Sequence, residues 1–217
     1  DTLFLNRLKV NSKITFEPGT GTSAVSGWSG IGLTSLSKMI YGGGRFVGVG
    51  GSYVAYSTDG VNFTYTTIPE SSSTDTNGDI AYGNNVYVAV NAQNVGFTAY
   101  SYDGASWGRT SIATGIHRTI GFGNGRFLTT AEAGGNVYTS TDGRNWSIVG
   151  VLGGYGREII FANGYFLSPR TNNLYYSKDG ASWKVANTPG SNMIFAVAYG
   201  KGLYIAADYN TAQYFTS

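Results

Sequence analysis

Three carboxylates are the residues best suited to catalysis in this 217-residue chain: Asp79, Glu132 and Glu158. Two carboxyl groups on either side of a glycosidic bond can hydrolyse it, one as the acid and the other as a base or nucleophile. Here, however, the three residues are isolated in the sequence, and isolated carboxylates are usually solvated surface charges. The sequence therefore favours a protein that is not an enzyme, with glycoside hydrolysis as the alternative.

Composition excludes several other kinds of site. The chain has no cysteine and a single histidine, His117, which rules out disulfides, thiolate metal sites and multi-histidine metal sites. A net charge of +2 gives no basic stripe for a nucleic-acid backbone. No apolar run approaches the ~20 residues needed to span a membrane, and no phosphate-binding loop is present. We expect no cofactor, no nucleic-acid partner and no membrane insertion.

A phrase built on Asp-Gly occurs four times and gives the chain its period. Its aspartates are Asp59, Asp103, Asp142 and Asp179, spaced by 44, 39 and 37 residues, and each glycine is followed three positions later by Phe or Trp. A spacing of this size indicates a repeat protein. Asp-Gly between β-rich runs predicts a turn in which glycine takes a positive φ and aspartate accepts bonds from its own backbone. We interpret the aspartates as turn builders, and the following aromatic residues as packing groups between repeats.

A second phrase, an aromatic residue followed by a Gly/Asn turn and another strand, occurs five times. Its first aromatic residues are spaced by 41, 40, 39 and 38 positions and are Tyr41, Tyr82, Phe122, Phe161 and Tyr199. Together the two phrases define four short antiparallel strands in about 40 residues, the content of one β-propeller blade. No window has the 3.6-residue apolar period of a helical repeat.

The sequence thus predicts an all-β fold, a five-bladed β-propeller over residues 24–217 with four-stranded antiparallel blades. Residues 1–23 form an N-terminal extension, either a packed strand or a junction to an upstream region. The fifth repeat reaches Ser217 without a fourth strand, whereas Trp28 opens a strand without a repeat of its own. We therefore expect the N-terminal strand to complete the last blade and close the ring, which removes exposed sheet edges.

The Asp-Gly phrase resembles the Asp-box of bacterial neuraminidase repeat propellers, over residues ~24–217. The usual box has one residue between aspartate and glycine, which are adjacent here. The shortened box, combined with the Gly-Asn-Gly-Arg-Phe turn, looks more like the repeat propellers of bacteriophage tail and fibre proteins and of bacterial surface proteins. Photosynthetic assembly factors share a related repeat. In all of them the box is structural, so the resemblance implies no catalytic role for it.

Sialidase activity is the enzymatic function that this resemblance brings into question. Sialidases resemble six-bladed rings that carry three clustered arginines, a tyrosine–glutamate pair and an acid/base aspartate. The arginines here do not recur at corresponding positions of successive repeats, and two lie beside the box, away from the expected ligand face; they are Arg109, Arg118, Arg144, Arg157 and Arg170. We therefore expect no enzymatic activity.

A ligand is expected on the face formed by the irregular loops, because function tends to reside on loops held by a rigid frame. Aromatic rings with Asn, Gln and Arg donors suit sugars. The candidate ligand-binding residues are Tyr155, Arg157, Arg170, Asn172, Tyr209 and Asn210 in one sector, and Tyr53, Asn91 and Gln93 in another. We expect Ile80, Ile120, Ile159 and Val197 to fill the centre of the ring, leaving binding to its rim.

The leading functional hypothesis is the receptor-binding domain of a phage tail fibre or similar adhesin, located outside the cell on a virion tail. Few charged residues (12%) and many aromatic ones (15%) are typical of such proteins. The expected partner is a cell-surface glycan or an outer-membrane protein receptor, and the domain would belong to a larger fibre, such as a trimer. A soluble propeller lectin, a protein-docking scaffold and a degenerate glycosidase are the alternatives.

Overall fold

The computed structural model describes residues 36–69, 77–93, 96–113, 115–132, 134–171, 173–187, 194–208 and 214–216, and all of the helices and strands defined in them are strands. The strands are β1 (Lys38–Gly42), β2 (Arg45–Gly50), β3 (Tyr53–Ser57), β4 (Thr64–Thr67), β5 (Asn77–Gly83), β6 (Val86–Asn91), β7 (Phe97–Ser101), β8 (Gly108–Ser111), β9 (His117–Gly123), β10 (Arg126–Ala131), β11 (Asn136–Ser140), β12 (Ser147–Val151), β13 (Ile160–Ala162), β14 (Tyr165–Pro169), β15 (Leu174–Ser177), β16 (Lys184–Val185), β17 (Ile194–Gly200), β18 (Leu203–Asp208) and β19 (Tyr214–Thr216).

These strands form five antiparallel sheets in chain order. Sheets 1 to 4 each contain four consecutive strands, β1–β4, β5–β8, β9–β12 and β13–β16, and sheet 5 contains β17–β19. The predicted all-β fold and the four-stranded antiparallel unit are confirmed for sheets 1 to 4. Residues 1–23, and the strand around Trp28 predicted to complete the last blade, lie outside the described residues.

Two-residue turns join the first and second strands of every sheet. Both turn residues have positive φ, as at Asn84 (47°) and Asn85 (60°), or at Asn124 (48°) and Gly125 (73°). Paired positive φ values define the type I′ turn, whose twist matches that of the flanking strands. Asn and Gly tolerate this conformation best, which explains why they recur there.

The strand register separates the loops into two faces. The first-to-second-strand turns and the Asp-Gly turns lie at one end of each sheet, since Phe46 near the start of β2 pairs with Ser57 at the end of β3. The other loops meet at the opposite end, where Asn77 at the start of β5 pairs with Asn91 at the end of β6. We call these the box face and the loop face.

The hydrophobic core lies between neighbouring sheets. Val47 and Val49 of sheet 1 pack with Ile80 and Tyr87 of sheet 2, and further clusters join sheets 2 and 3, 3 and 4, and 4 and 5. A glycine at the end of one inner strand makes room for the first aromatic residue of the next sheet, as Gly42 does for Tyr82. Each sheet therefore stacks on its predecessor by the same rule.

The predicted box aromatics occupy these interfaces to different degrees. Trp107 is buried in the cluster between sheets 1 and 2. Trp146 and Trp183 are partly buried against the next two clusters. The indole N–H of Trp107 donates to Gly104 O (3.2 Å), and that of Trp183 donates to Gly180 O (3.0 Å), so each ring is tied to its own turn.

Candidate ligand-binding site

The Asp-Gly turns are built as the sequence predicts. In the second turn, Asp103 Oδ1 accepts bonds from Ala105 N (2.9 Å), Ser106 N (2.7 Å) and the Ser101 hydroxyl (3.0 Å). These donors lower the pKa of Asp103 to about 2, with Ser106 N as the largest cause. The other three turns repeat the pattern, and hydrogen bonds hold the pKa of each aspartate well below its usual range. The aspartates are thus committed to their own turns.

The loop before sheet 4 carries two of the predicted ligand-binding residues in exposed positions. The Tyr155 side chain is 62% exposed. Arg157 is also exposed, and its Cζ lies 5.5 Å from the centre of the Phe195 ring of sheet 5. The structure therefore places an accessible aromatic ring and a guanidinium group two residues apart on the loop face.

Arg170 lies beneath this loop, where sequence reasoning expected a ligand contact. Its side chain is 1% exposed. The guanidinium group donates to the carbonyls of Leu152 (2.9 Å) and Gly154 and to Thr130 Oγ1 (2.8 Å). Burial lowers the pKa of Arg170 to about 10, which keeps the group charged at neutral pH. Its role in this geometry is to hold the loop.

Backbone bonds fix the same loop from both sides. Arg157 N donates to Pro169 O (3.2 Å), and Tyr155 N donates to Thr171 Oγ1 (3.3 Å). Gly156 and Arg170 form an isolated antiparallel bridge. Tyr155 is therefore presented by a segment that is bonded along its length.

The second predicted sector lies at the loop-face ends of sheets 1 and 2. Tyr53 opens β3 and is exposed. Asn91 is buried at the end of β6, where its Oδ1 accepts a bond from Gln93 N (2.7 Å), so it shapes the loop and leaves Gln93 exposed. Three further predicted residues, Asn172, Tyr209 and Asn210, lie outside the described residues.

A charged cluster that sequence reasoning missed lies on the inner strands. Lys38 Nζ is 3.2 Å from Asp79 Oδ1 and 4.0 Å from Glu158 Oε1, and both carboxylates are buried. Asp79 Oδ2 also accepts bonds from Thr119 Oγ1 and Ile120 N, both at 3.2 Å. Two of the carboxylates considered for glycoside hydrolysis are thus brought to one ammonium group. The third, Glu132, pairs instead with Arg118.

The repeat register contains the signal for this cluster. Lys38, Asp79, Thr119 and Glu158 each stand three positions before the first aromatic residue of their repeat. A register shift in the pairing of β5 with β6 falls between Asn77 and Asp79, and such bulges re-aim side chains. Aligning the repeats by their aromatic residues would have placed these four residues at one level.

A cavity of about 350 Å³ lies among the first strands of sheets 1 to 4. Ile80, Ile120 and Ile159 line it, with Lys38 and Glu158 at its loop-face end. The prediction that isoleucines fill the centre is therefore wrong for the described residues: these side chains are buried, but they form the wall of a space. Val197 is buried between sheets 4 and 5 and is not part of this wall.

Comparison with solved structures identifies the fold. The chain is similar to YCF48 bound to D1 peptide (16% identity, TM-score 0.64, covering 80% of this chain and 61% of that chain). It is also similar to streptogramin B lyase (12%, 0.68, 82% and 66%) and to the β-propeller domain of Myceliophteria thermophila Cps50 (Swd1) (12%, 0.61, 83% and 67%). The sequence matches no protein-family model and no curated protein.

These similarities define the chain as a protein with the β-propeller fold. At 61% of the YCF48 chain, it spans less than two thirds of that structure. Within the described ranges, no helix is long and apolar enough to cross a membrane. No group of three or more His, Cys, Asp or Glu side chains suited to a metal ion occurs among the residues searched there.

Proposed function

We propose that this propeller is a non-catalytic binding module that attaches to a cell-surface glycan through its loop face. The observation that carries the proposal is Tyr155, an exposed aromatic ring on a loop that the buried Arg170 holds from below. A ring held in place loses little conformational entropy when a ligand binds, so more of the contact energy appears as affinity.

The chemistry around Tyr155 suits a sugar. A pyranose presents an apolar face that packs on an aromatic ring, with hydroxyl groups at its edge. Arg157 supplies planar guanidinium donors that can bind hydroxyl or carboxylate oxygens in pairs. Tyr53 and Gln93 offer an aromatic ring and an amide without a guanidinium, which suits a neutral sugar. Acidic sugars are accordingly assigned to the Tyr155 sector.

Support for a non-catalytic role comes from the way the carboxylates are used. The four box aspartates bond their own turns. Asp79 and Glu158 share the Lys38 ammonium, and Glu132 is paired with Arg118. A glycosidase needs two carboxyl groups that face one bond in different protonation states, whereas Lys38 stabilises the ionised form of both of its neighbours.

In its finer form, the proposal is the receptor-binding domain of a phage tail fibre, extracellular on the virion tail. It is supported by the resemblance of the shortened box to phage tail repeats. An outer-membrane protein is the alternative receptor. A single sugar contact is weak, so attachment would use several copies in one fibre, such as a trimer, through avidity.

The proposed ring has five blades and closes between sheets 5 and 1. Three earlier interfaces pair an inner-strand glycine with the next aromatic residue: Gly42 with Tyr82, Gly83 with Phe122, and Gly123 with Phe161. At the proposed closure Gly200 has nothing within 4 Å of its Cβ position, and Tyr41 is 54% exposed. These two residues are the matching halves of a fifth such pair, with the N-terminal strand completing the last blade.

A protein-docking scaffold is the second candidate, favoured by an apolar groove on the outer strands. Ile148 and Val151 are exposed on β12. Ile148 borders a groove of about 580 Å³ whose other walls include Ile112, Tyr138 and Trp146. Exposed apolar side chains beside a groove are typical of protein contacts.

Attachment measurements on matched variants test the leading proposal. Tyr155→Ala and Arg157→Ala should each reduce binding to cells and to a glycan array, with the parent melting temperature retained. Tyr102 is the control, because it is 63% exposed, like Tyr155, but lies on the box face. Loss of attachment in Tyr102→Ala, with normal attachment in both loop-face variants, would refute the proposed face. Ile148→Asp acting alone would favour the scaffold.

A further inference from the structure

The inner-strand cavity combines a volume suited to a ligand with two chemically different ends. Its volume of about 350 Å³ lies within the usual range of small-molecule sites, roughly 300–1,000 Å³. The loop-face end carries Lys38 and Glu158, and the box-face end is lined by four aromatic residues from successive sheets, Tyr41, Tyr82, Phe122 and Phe161. No predicted site residue belongs to this cavity.

The charged end has more negative than positive groups. Asp79 lies closer to Lys38 Nζ than Glu158 does, at 3.2 Å against 4.0 Å, and Asp79 is not part of the cavity wall. Asp79 is further held by Ile80 N (2.9 Å), Ile120 N and the Thr119 hydroxyl. One ammonium group therefore serves two carboxylates, and the second carboxylate, Glu158, faces the cavity.

The aromatic end attracts the same sign of charge. The faces of aromatic rings carry negative potential, so cations within about 6 Å of a ring centre are stabilised, and cages of such rings recognise quaternary ammonium groups. The four rings come from equivalent positions of four repeats, which puts them at one level of the cavity. Neighbouring rings brace two of them: Tyr82 lies 4.5 Å from Tyr87 and Phe122 lies 4.7 Å from Phe127, centre to centre.

We propose that the inner-strand cavity binds an organic cation, a methylated or primary alkylammonium group, with Glu158 as its counter-charge and the aromatic rings as its cage. An anionic ligand would meet two carboxylates for one ammonium. The isoleucine walls formed by Ile80, Ile120 and Ile159 suit the alkyl part of the ligand. This site is separate from the Tyr155 sector and stands without the glycan proposal.

Calorimetric titration with choline chloride tests the site, with 3,3-dimethylbutan-1-ol as the neutral probe of the same shape. The parent chain should bind choline and bind the neutral analogue at least about tenfold more weakly, the size of one good cation–aromatic or charge contact. Equal affinity for the two probes, or no binding of choline at millimolar concentration, would overturn the proposal.

Variants then locate the site. Glu158→Gln keeps the shape of the side chain and should weaken choline binding about tenfold. Glu132→Gln, which removes a carboxylate outside the cavity lining, should leave it unchanged, as should Tyr155→Ala. If Glu158→Gln does not fold, nuclear Overhauser contacts between the choline methyl protons and aromatic protons of the parent chain decide the matter. Bound choline without such contacts would contradict the proposed cage.

Discussion

The ring of Tyr82 lies where a side chain at Gly42 would be. A Cβ atom added to Gly42 would lie 2.5 Å from both Cγ and Cδ1 of Tyr82, and Tyr87 donates its hydroxyl to the carbonyl of Gly42. The same relationship joins Gly83 to Phe122 and Gly123 to Phe161. Glycine at these positions therefore sets the distance between sheets, and the repeat of the sequence becomes a repeat of one interface.

Gly42→Ala should reduce the free energy of unfolding by about 1–3 kcal/mol, the usual cost of overpacking a tight contact. The added methyl group must displace a ring that packs 4.5 Å from Tyr87. Gly153→Ala is the matched control, because nothing lies within 4 Å of its Cβ position. Chemical denaturation of both variants measures the difference, and equal stability would show that the sheets adjust freely.

Gly200→Ala tests the closure of the ring. If Tyr41 docks on Gly200, the variant should lose stability by the amount seen for Gly42→Ala. The open space around Gly200 in the described residues would otherwise accept the methyl group at little cost. A double-mutant cycle with Tyr41→Ala isolates the coupling between the two residues. Independent effects would contradict contact between sheets 5 and 1.

Trp107→Ala should cost about 3–5 kcal/mol, as expected when a large buried aromatic side chain is removed. Trp107 is buried between sheets 1 and 2, whereas Trp146 and Trp183 are only partly buried. The substitutions Trp146→Ala and Trp183→Ala should therefore cost less. Urea denaturation of the three variants checks the order, and a smaller loss for Trp107 would contradict the packing described.

Stability should depend on pH through the single histidine. Burial lowers the pKa of His117 below its usual value of 6.5, and its Nε2 bonds Ala113 O (3.2 Å). The unfolded chain then binds a proton that the folded chain does not, so the free energy of unfolding falls as the pH drops below 6.5. Above that value this contribution is complete.

Urea midpoints at pH 7.5 and 5.5 measure the effect. The parent should lose stability over this interval, while His117→Gln, whose amide can still donate to Ala113 O, should lose much less. Unperturbed carboxyl groups titrate near pH 4 and contribute little in this window. The same pH dependence in parent and variant would assign the effect to another group.

Local chemistry made much of the fold predictable. Asn84-Asn85 and Asn124-Gly125 identify their turns because few residues tolerate positive φ, and Asp103 identifies its turn because its donors are two and three residues away. The burial of Arg170 could not be predicted in this way, because its partner Thr130 is 40 residues distant and belongs to sheet 3. The meeting of Lys38 with Asp79 and Glu158 likewise depends on three different sheets.

Arg170 should control attachment without touching the ligand. Its guanidinium donates to Leu152 O, Gly154 O and Thr130 Oγ1, and removal of the donors leaves buried acceptors without partners, at a cost of about 1–3 kcal/mol each. Arg170→Met should therefore lower stability and speed amide hydrogen exchange in residues 153–157. Arg170→Lys should rescue only part of the effect, because one ammonium group cannot span the same acceptors.

The contrast with Arg157 separates positioning from contact. Arg157→Met should weaken attachment while hydrogen exchange in the 153–157 loop stays at the parent rate. Arg170→Met should weaken attachment in proportion to the loosening of the loop, and a ligand-free measurement should detect that loosening. If Arg170→Met abolishes attachment while exchange and stability remain those of the parent, Arg170 contacts the ligand itself, and the loop-holding role argued from its buried hydrogen bonds is wrong.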